Sequence, residues 1–64
     1  MNDLEYLVKM KDLFRESADI IDQLLVLREK GEKGEDVQKE LEKASARYVY
    51  KMMEMRKLSE GGNN

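Results

Sequence analysis

Gly31-Glu32-Lys33-Gly34 is the only place between Asn2 and Glu60 where glycine interrupts the chain, and no proline interrupts it anywhere. On either side lie long segments whose apolar residues recur at steps of three and four, the spacing of one face of a helix. A short break between two such segments makes them antiparallel neighbours. This predicts an all-α protein built as a two-helix antiparallel hairpin, a single domain spanning 1–64. The expected boundaries are helix 1 at about 2–30, a turn at 31–35, helix 2 at about 36–59 and a disordered tail at 60–64.

Local signals support these ends. Asn2 is a good N-cap, and Glu5, three residues on, can complete a capping box with the Asn2 backbone. Met1 is expected to staple against Tyr6. Asp3 and Glu5 suit the positive end of the helix dipole. Gly31 is expected as the left-handed C-cap, with Arg28 and Lys30 in the last turn. Gly34 or Asp36 is expected to start helix 2, with Glu35 and Asp36 at its N-terminal end.

Placed at about 100° intervals, the apolar residues of helix 1 form two adjacent stripes. Met10, Leu13, Ser17, Ile20, Leu24 and Leu27 make one; Leu4, Leu7, Phe14, Ala18, Ile21 and Leu25 make the other. Together they cover about 200°, against the roughly 100° of an ordinary surface helix. Helix 2 carries Val37, Leu41, Ala44, Tyr48, Met52 and Met55 on one stripe, widened by Val49 and Met53. The expected hairpin core is therefore Met10, Leu13, Ile20, Leu24, Leu27, Val37, Leu41, Tyr48, Met52 and Met55. The second stripe of helix 1, with Leu7, Phe14, Ala18, Ile21 and Leu25, needs another partner and is the expected oligomer interface. A homodimer closing into a four-helix bundle with coiled-coil-like packing is the smallest solution, with a trimer or tetramer as alternatives.

Composition narrows the chemistry. The 64 residues contain no cysteine, histidine, proline or tryptophan, and Lys and Arg number 12 against 14 Asp and Glu. No disulfide framework can form, and neither a structural zinc site nor a Glu-x-x-His di-metal bundle is expected. No phosphate-binding glycine loop occurs. The reading is a non-enzymatic protein with no catalytic residue, cofactor or metal. A net charge of −2 with interspersed signs gives no bulk attraction to nucleic acid or anionic lipid. No apolar run reaches the ~20 residues of a membrane span, and the N-terminal stretch does not read as a secretory signal, so a cytoplasmic location is expected.

Four features admit a functional and a structural reading. Lys39, Lys43, Arg47 and Lys51 follow i, i+4 spacing, a basic ridge on the outer face of helix 2. It is either a phosphate-contacting surface or a solvated face relieved by Glu35, Glu40 and Glu54 or paired with acidic residues of another subunit. The ridge has no aromatic of its own to stack bases, which favours the solvated face. Tyr50 and Met53 point away from the helix 2 stripe and form a candidate partner surface, whereas Tyr48, Met52 and Met55 read as core. Arg28 can pair with a carboxylate across an interface or cap the dipole. Ser17 and Ser45 read as small residues permitting close helix approach; no histidine exists to make either a nucleophile.

Asn2-Asp3-Leu4-Glu5, Asp12-Leu13-Phe14, Ile20-Ile21-Asp22 and Tyr48-Val49-Tyr50-Lys51-Met52-Met53 give the chain a pattern that resembles small uncharacterised helical proteins encoded by phages and prophages of Gram-positive bacteria. The resemblance spans most of the chain and implies no activity or site residue; it would place the protein in the host cell cytoplasm. The hairpin layout is also similar to that of Rop-like RNA-binding dimers, a likeness of architecture alone. The expected function is a self-associating helical interaction module, a phage-encoded adaptor or regulator binding another protein. The alternatives are a Rop-like nucleic-acid-binding regulator using the basic ridge, or a structural component of a phage particle.

Overall fold

The computed structural model describes residues 2–61, which form two helices, α1 (Asp3–Glu32) and α2 (Gln38–Gly61), packed against each other as an antiparallel hairpin. There is no strand among the described residues. Asn2 caps α1: its Oδ1 accepts from the Glu5 backbone N–H at 2.8 Å. The Glu5 carboxylate reaches back to the Asn2 side-chain amide at 3.3 Å, so the box closes through that amide instead of the Asn2 backbone. The expected Met1 staple lies outside the described residues.

The turn differs from the sequence expectation. α1 does not stop at Gly31 but runs through it to Glu32, and Gly34 alone among the described residues has positive φ, at 94°. Gly34 N–H donates to Gly31 O at 3.0 Å and Glu35 N–H to Lys30 O at 3.1 Å. These two bonds are the pattern of a Schellman motif with the left-handed residue at Gly34. Gly31 serves a different purpose. A Cβ there would sit 3.3 Å from Val37 Cγ2, so its missing side chain makes room for the residue that plugs the turn.

α2 starts later than expected, at Gln38. Val37 is its N-cap: the Val37 carbonyl accepts from Leu41 N–H at 2.9 Å, and Asp36 Oδ1 takes the Gln38 N–H at 3.3 Å. Valine is a poor N-cap by intrinsic preference. Here its side chain is buried beneath the turn and the preceding aspartate supplies the acceptor that valine lacks. At the other end α2 continues through Glu60 and Gly61, which corrects the tail expected from residue 60. An i, i+4 pair between Arg56 and Glu60, at 3.1 Å, braces that last turn. Gly62, Asn63 and Asn64 lie outside the described residues.

Two cross-helix contacts fix the register. Arg47 donates to Gln23 Oε1 at 3.0 Å, and Lys51 pairs with Glu16. Residues of α1 and α2 at the same level therefore have numbers summing to between 67 and 70. This puts Ala44 level with Leu24 and Ser17 level with Lys51, so each small residue sits across from a long one, as interdigitation requires. Leu13, Ser17, Ile20, Val37 and Ala44 are buried. Ser17 removes its hydroxyl from competition by donating to Leu13 O at 2.7 Å. Ser45, expected to share that small-residue role, is exposed, and Ala44 beside it is fully buried in its place.

Met10, Leu24, Leu27, Leu41, Tyr48, Met52 and Met55 flank this centre half-buried, as do Tyr6 and Leu58. The Cα trace measures 48 × 16 × 10 Å. It is a rod one helix layer thick, and among the described residues no large apolar side chain is completely withdrawn from solvent.

Candidate interaction surfaces

Antiparallel geometry sorts the remaining side chains onto two sides of the rod. Each residue is turned by about 100° from the one before it. Because the helices run in opposite directions, the residues following core positions lie on one and the same side of the hairpin for both helices. The residues preceding core positions lie on the other.

The following-residue side is apolar. On α1 it carries Leu7, Phe14, Ala18, Ile21 and Leu25, all exposed, Leu7 by 61% and Phe14 by 60%. Leu4 extends the stripe at the N-terminal end. These positions follow the alternating three- and four-residue spacing of a coiled-coil seam, broken only by Lys11. On α2 the same side is shorter: Val49 continues it and Met53 lies further round, with Gln38, Glu42, Ser45 and Arg56 occupying the other positions.

The preceding-residue side is polar. Asp12, Glu16, Asp19 and Gln23 of α1 stand beside Lys43, Arg47, Lys51 and Glu54 of α2. The basic ridge expected on the outer face of α2 winds into this seam. Steps of four residues advance 400°, about 40° more than a full turn, so a row of such steps spirals around its helix. Lys39 and Lys43 remain exposed, Arg47 is held by Gln23, and Lys51 is half-buried between Glu16 and Glu54, the latter at 3.4 Å. The hydrogen bond that Lys51 donates to Glu16 raises the Lys51 pKa above its ordinary 10.5; desolvation opposes this, and the charges of Glu16 and Glu54 reinforce it.

Two shallow troughs lie along the polar seam. One, of about 420 Å³, is floored by Val26 and Leu27 and rimmed by Asp22, Glu40, Lys43 and Arg47. The other, of about 490 Å³, surrounds the Glu16–Lys51 pair. Both have rims of mixed sign. Arg28 pairs with Glu32 of its own helix at 3.3 Å. Tyr50, 66% exposed, lies on the side of α2 away from α1, and Met53, 54% exposed, falls between it and Val49, so the two expected partner-surface residues divide between the far side and the edge of the apolar side. Among the described residues no group of three His, Cys, Asp or Glu side chains could hold a metal ion. No helix among them is long and apolar enough to cross a membrane.

No protein family, curated protein or solved structure matches this chain.

Proposed function

We propose that the chain is a non-enzymatic interaction module that self-associates through its apolar side, two hairpins closing into a four-helix bundle. The observation that carries the reading is the seam of Leu7, Phe14, Ala18, Ile21 and Leu25 left exposed along a rod one layer thick. Stable domains bury apolar faces between at least two layers, and a hairpin alone supplies one. An exposed, contiguous apolar stripe marks an association surface. The side of the rod that carries the seam measures 48 by 16 Å in its Cα trace, so a second copy of the same dimensions can cover it along its full length. In this reading the dimer is the scaffold of an adaptor or regulator, and Tyr50, on the far side of α2, stays outside the self-association surface.

The geometry favours this over nucleic-acid binding by the basic ridge. Arg47 and Lys51 are spent on α1, and Lys39 and Lys43 are left with Glu35, Glu40 and Glu42 as neighbours in sequence. Analytical ultracentrifugation at micromolar concentration tests the proposal. It expects twice the 7.5 kDa chain mass; a folded, monodisperse single chain is the contrary result.

A further inference from the structure

Two-fold pairing of the apolar sides can be made in two ways, and the distribution of apolar residues between the helices distinguishes them. With the turns at the same end, α1 lies opposite α2 of the second copy. With the turns at opposite ends, α1 lies antiparallel against α1 of the second copy, and α2 against α2. We infer that the second copy seats with its turn at the opposite end, so that the α1 stripe meets itself; the inference rests on the self-association proposed above.

The two arrangements differ in which side chains they bring face to face. In the same-end arrangement, residues facing each other would keep the level relation of the hairpin itself. Ile21 would meet Val49 and Phe14 would meet Met53. Leu25, however, would face Glu42 and Ser45, and Leu7 would fall level with the end of α2 beyond Ser59. Lys11 would also face Arg56, a like-charge pair. Two of the five apolar seam residues would thus lie against polar positions or past them, losing the burial that drives association.

In the opposite-end arrangement the seam is self-complementary about its own midpoint near residue 16. Leu7 then meets Leu25, and Phe14 meets Ala18, a large side chain against a small one as in any interdigitated layer. Lys11 falls opposite Ile21, near the edge of the layer, where its stem can cover apolar surface while its ammonium reaches water. The shorter apolar patches of the two α2 helices, Val49 and Met53, are brought toward one another and their polar neighbours stay together at the rim. Leu7, Phe14, Ala18 and Leu25 all find an apolar partner in this pairing, whereas the same-end arrangement leaves Leu7 and Leu25 without one.

The turn reports the orientation. The chain has no native cysteine, and Lys33 is exposed, has ordinary backbone angles and lies off the apolar side. A Lys33→Cys variant carrying a nitroxide therefore gives one label per copy, whose separation is read by pulsed dipolar spectroscopy on a sample of sedimentation-verified mass. Opposite-end packing about a midpoint near residue 16 separates the labels by about 50 Å at 1.5 Å per residue. Same-end packing brings them to about 20 Å, two helix spacings. A dimer with the long separation supports the inference, and a dimer with the short one overturns it while leaving self-association standing. A monomeric mass with no dipolar coupling overturns both.

Discussion

At the residue scale, the turn separates two glycines that composition alone makes equivalent. Gly34 sits at φ 94°, where a Cβ crowds the following carbonyl, so Gly34→Ala should destabilise the fold by about 1–2 kcal/mol. Gly31 is helical, and alanine there gains up to about 1 kcal/mol of helix propensity, offset by the displacement that its Cβ, 3.3 Å from Val37 Cγ2, imposes. The expected order in urea denaturation is Gly34→Ala well below wild type and Gly31→Ala near it. The reverse order would mean that the helix ends at Gly31 after all. At the opposite end of α1, the Asn2 side chain satisfies an otherwise unpaired N–H of the first turn. Asn2→Ala should cost about 1 kcal/mol in the same assay. What the sequence could not disclose here was tertiary: only the folded turn shows that Val37 needs the space over Gly31. The heptad-like apolar spacing carries no such information.

At the element scale, the helices were legible because their patterns are long and uninterrupted, and the half-buried and buried residues trace the stripe that steps of three and four imply. Their ends were less so. Val37 reads as an ordinary core position and conceals its role as N-cap, while α2 runs on to Gly61, past the point where serine and glycine suggest it should stop. The ridge of Lys39, Lys43, Arg47 and Lys51 could have been placed correctly from sequence by carrying its 40° drift per step through to Lys51. That drift turns a row of cations into a cross-helix bracket, with Lys51 held by Glu16 and Glu54. The pairing has a pH signature of definite sign. The Lys51 pKa is raised in the folded state, so its contribution is fully present below the unfolded value near 10.5 and is lost as pH rises through the folded value. Thermal melts should therefore show a steeper loss of stability above pH 10 in the wild type than in Lys51→Met, with both variants parallel between pH 7 and 9. Equal alkaline slopes would show that the pair contributes nothing in solution.

At the scale of the whole molecule, the decisive quantity is what covers Phe14 and Ile21. In a lone hairpin both are exposed, Phe14 by 60%, and a polar replacement at an exposed position changes stability by no more than about 0.5 kcal/mol. Between two hairpins they are sheltered, and each large apolar side chain buried there is worth roughly 1.5–3 kcal/mol. Phe14→Ser and Ile21→Ser thus weigh the two states against each other without reference to the hairpin's own core, since neither residue belongs to it. Mass action adds an independent measure: unfolding coupled to dissociation makes the melting temperature of the wild type rise with protein concentration. The expected result is a concentration-dependent wild-type melt, with each serine variant lowering stability by more than about 1 kcal/mol and shifting sedimentation toward the single-chain mass. The interface is apolar and its expected layers contain no essential ion pair, so this behaviour should persist in high salt, whereas attraction through Lys39 and Lys43 to a polyanion would be screened away. A wild-type melt independent of concentration, joined by serine variants as stable as the parent, would leave the exposed seam without a second copy to cover it. The protein would then stand as a single-layer rod held by Leu13, Ile20, Val37 and Ala44 and the half-buried side chains that flank them.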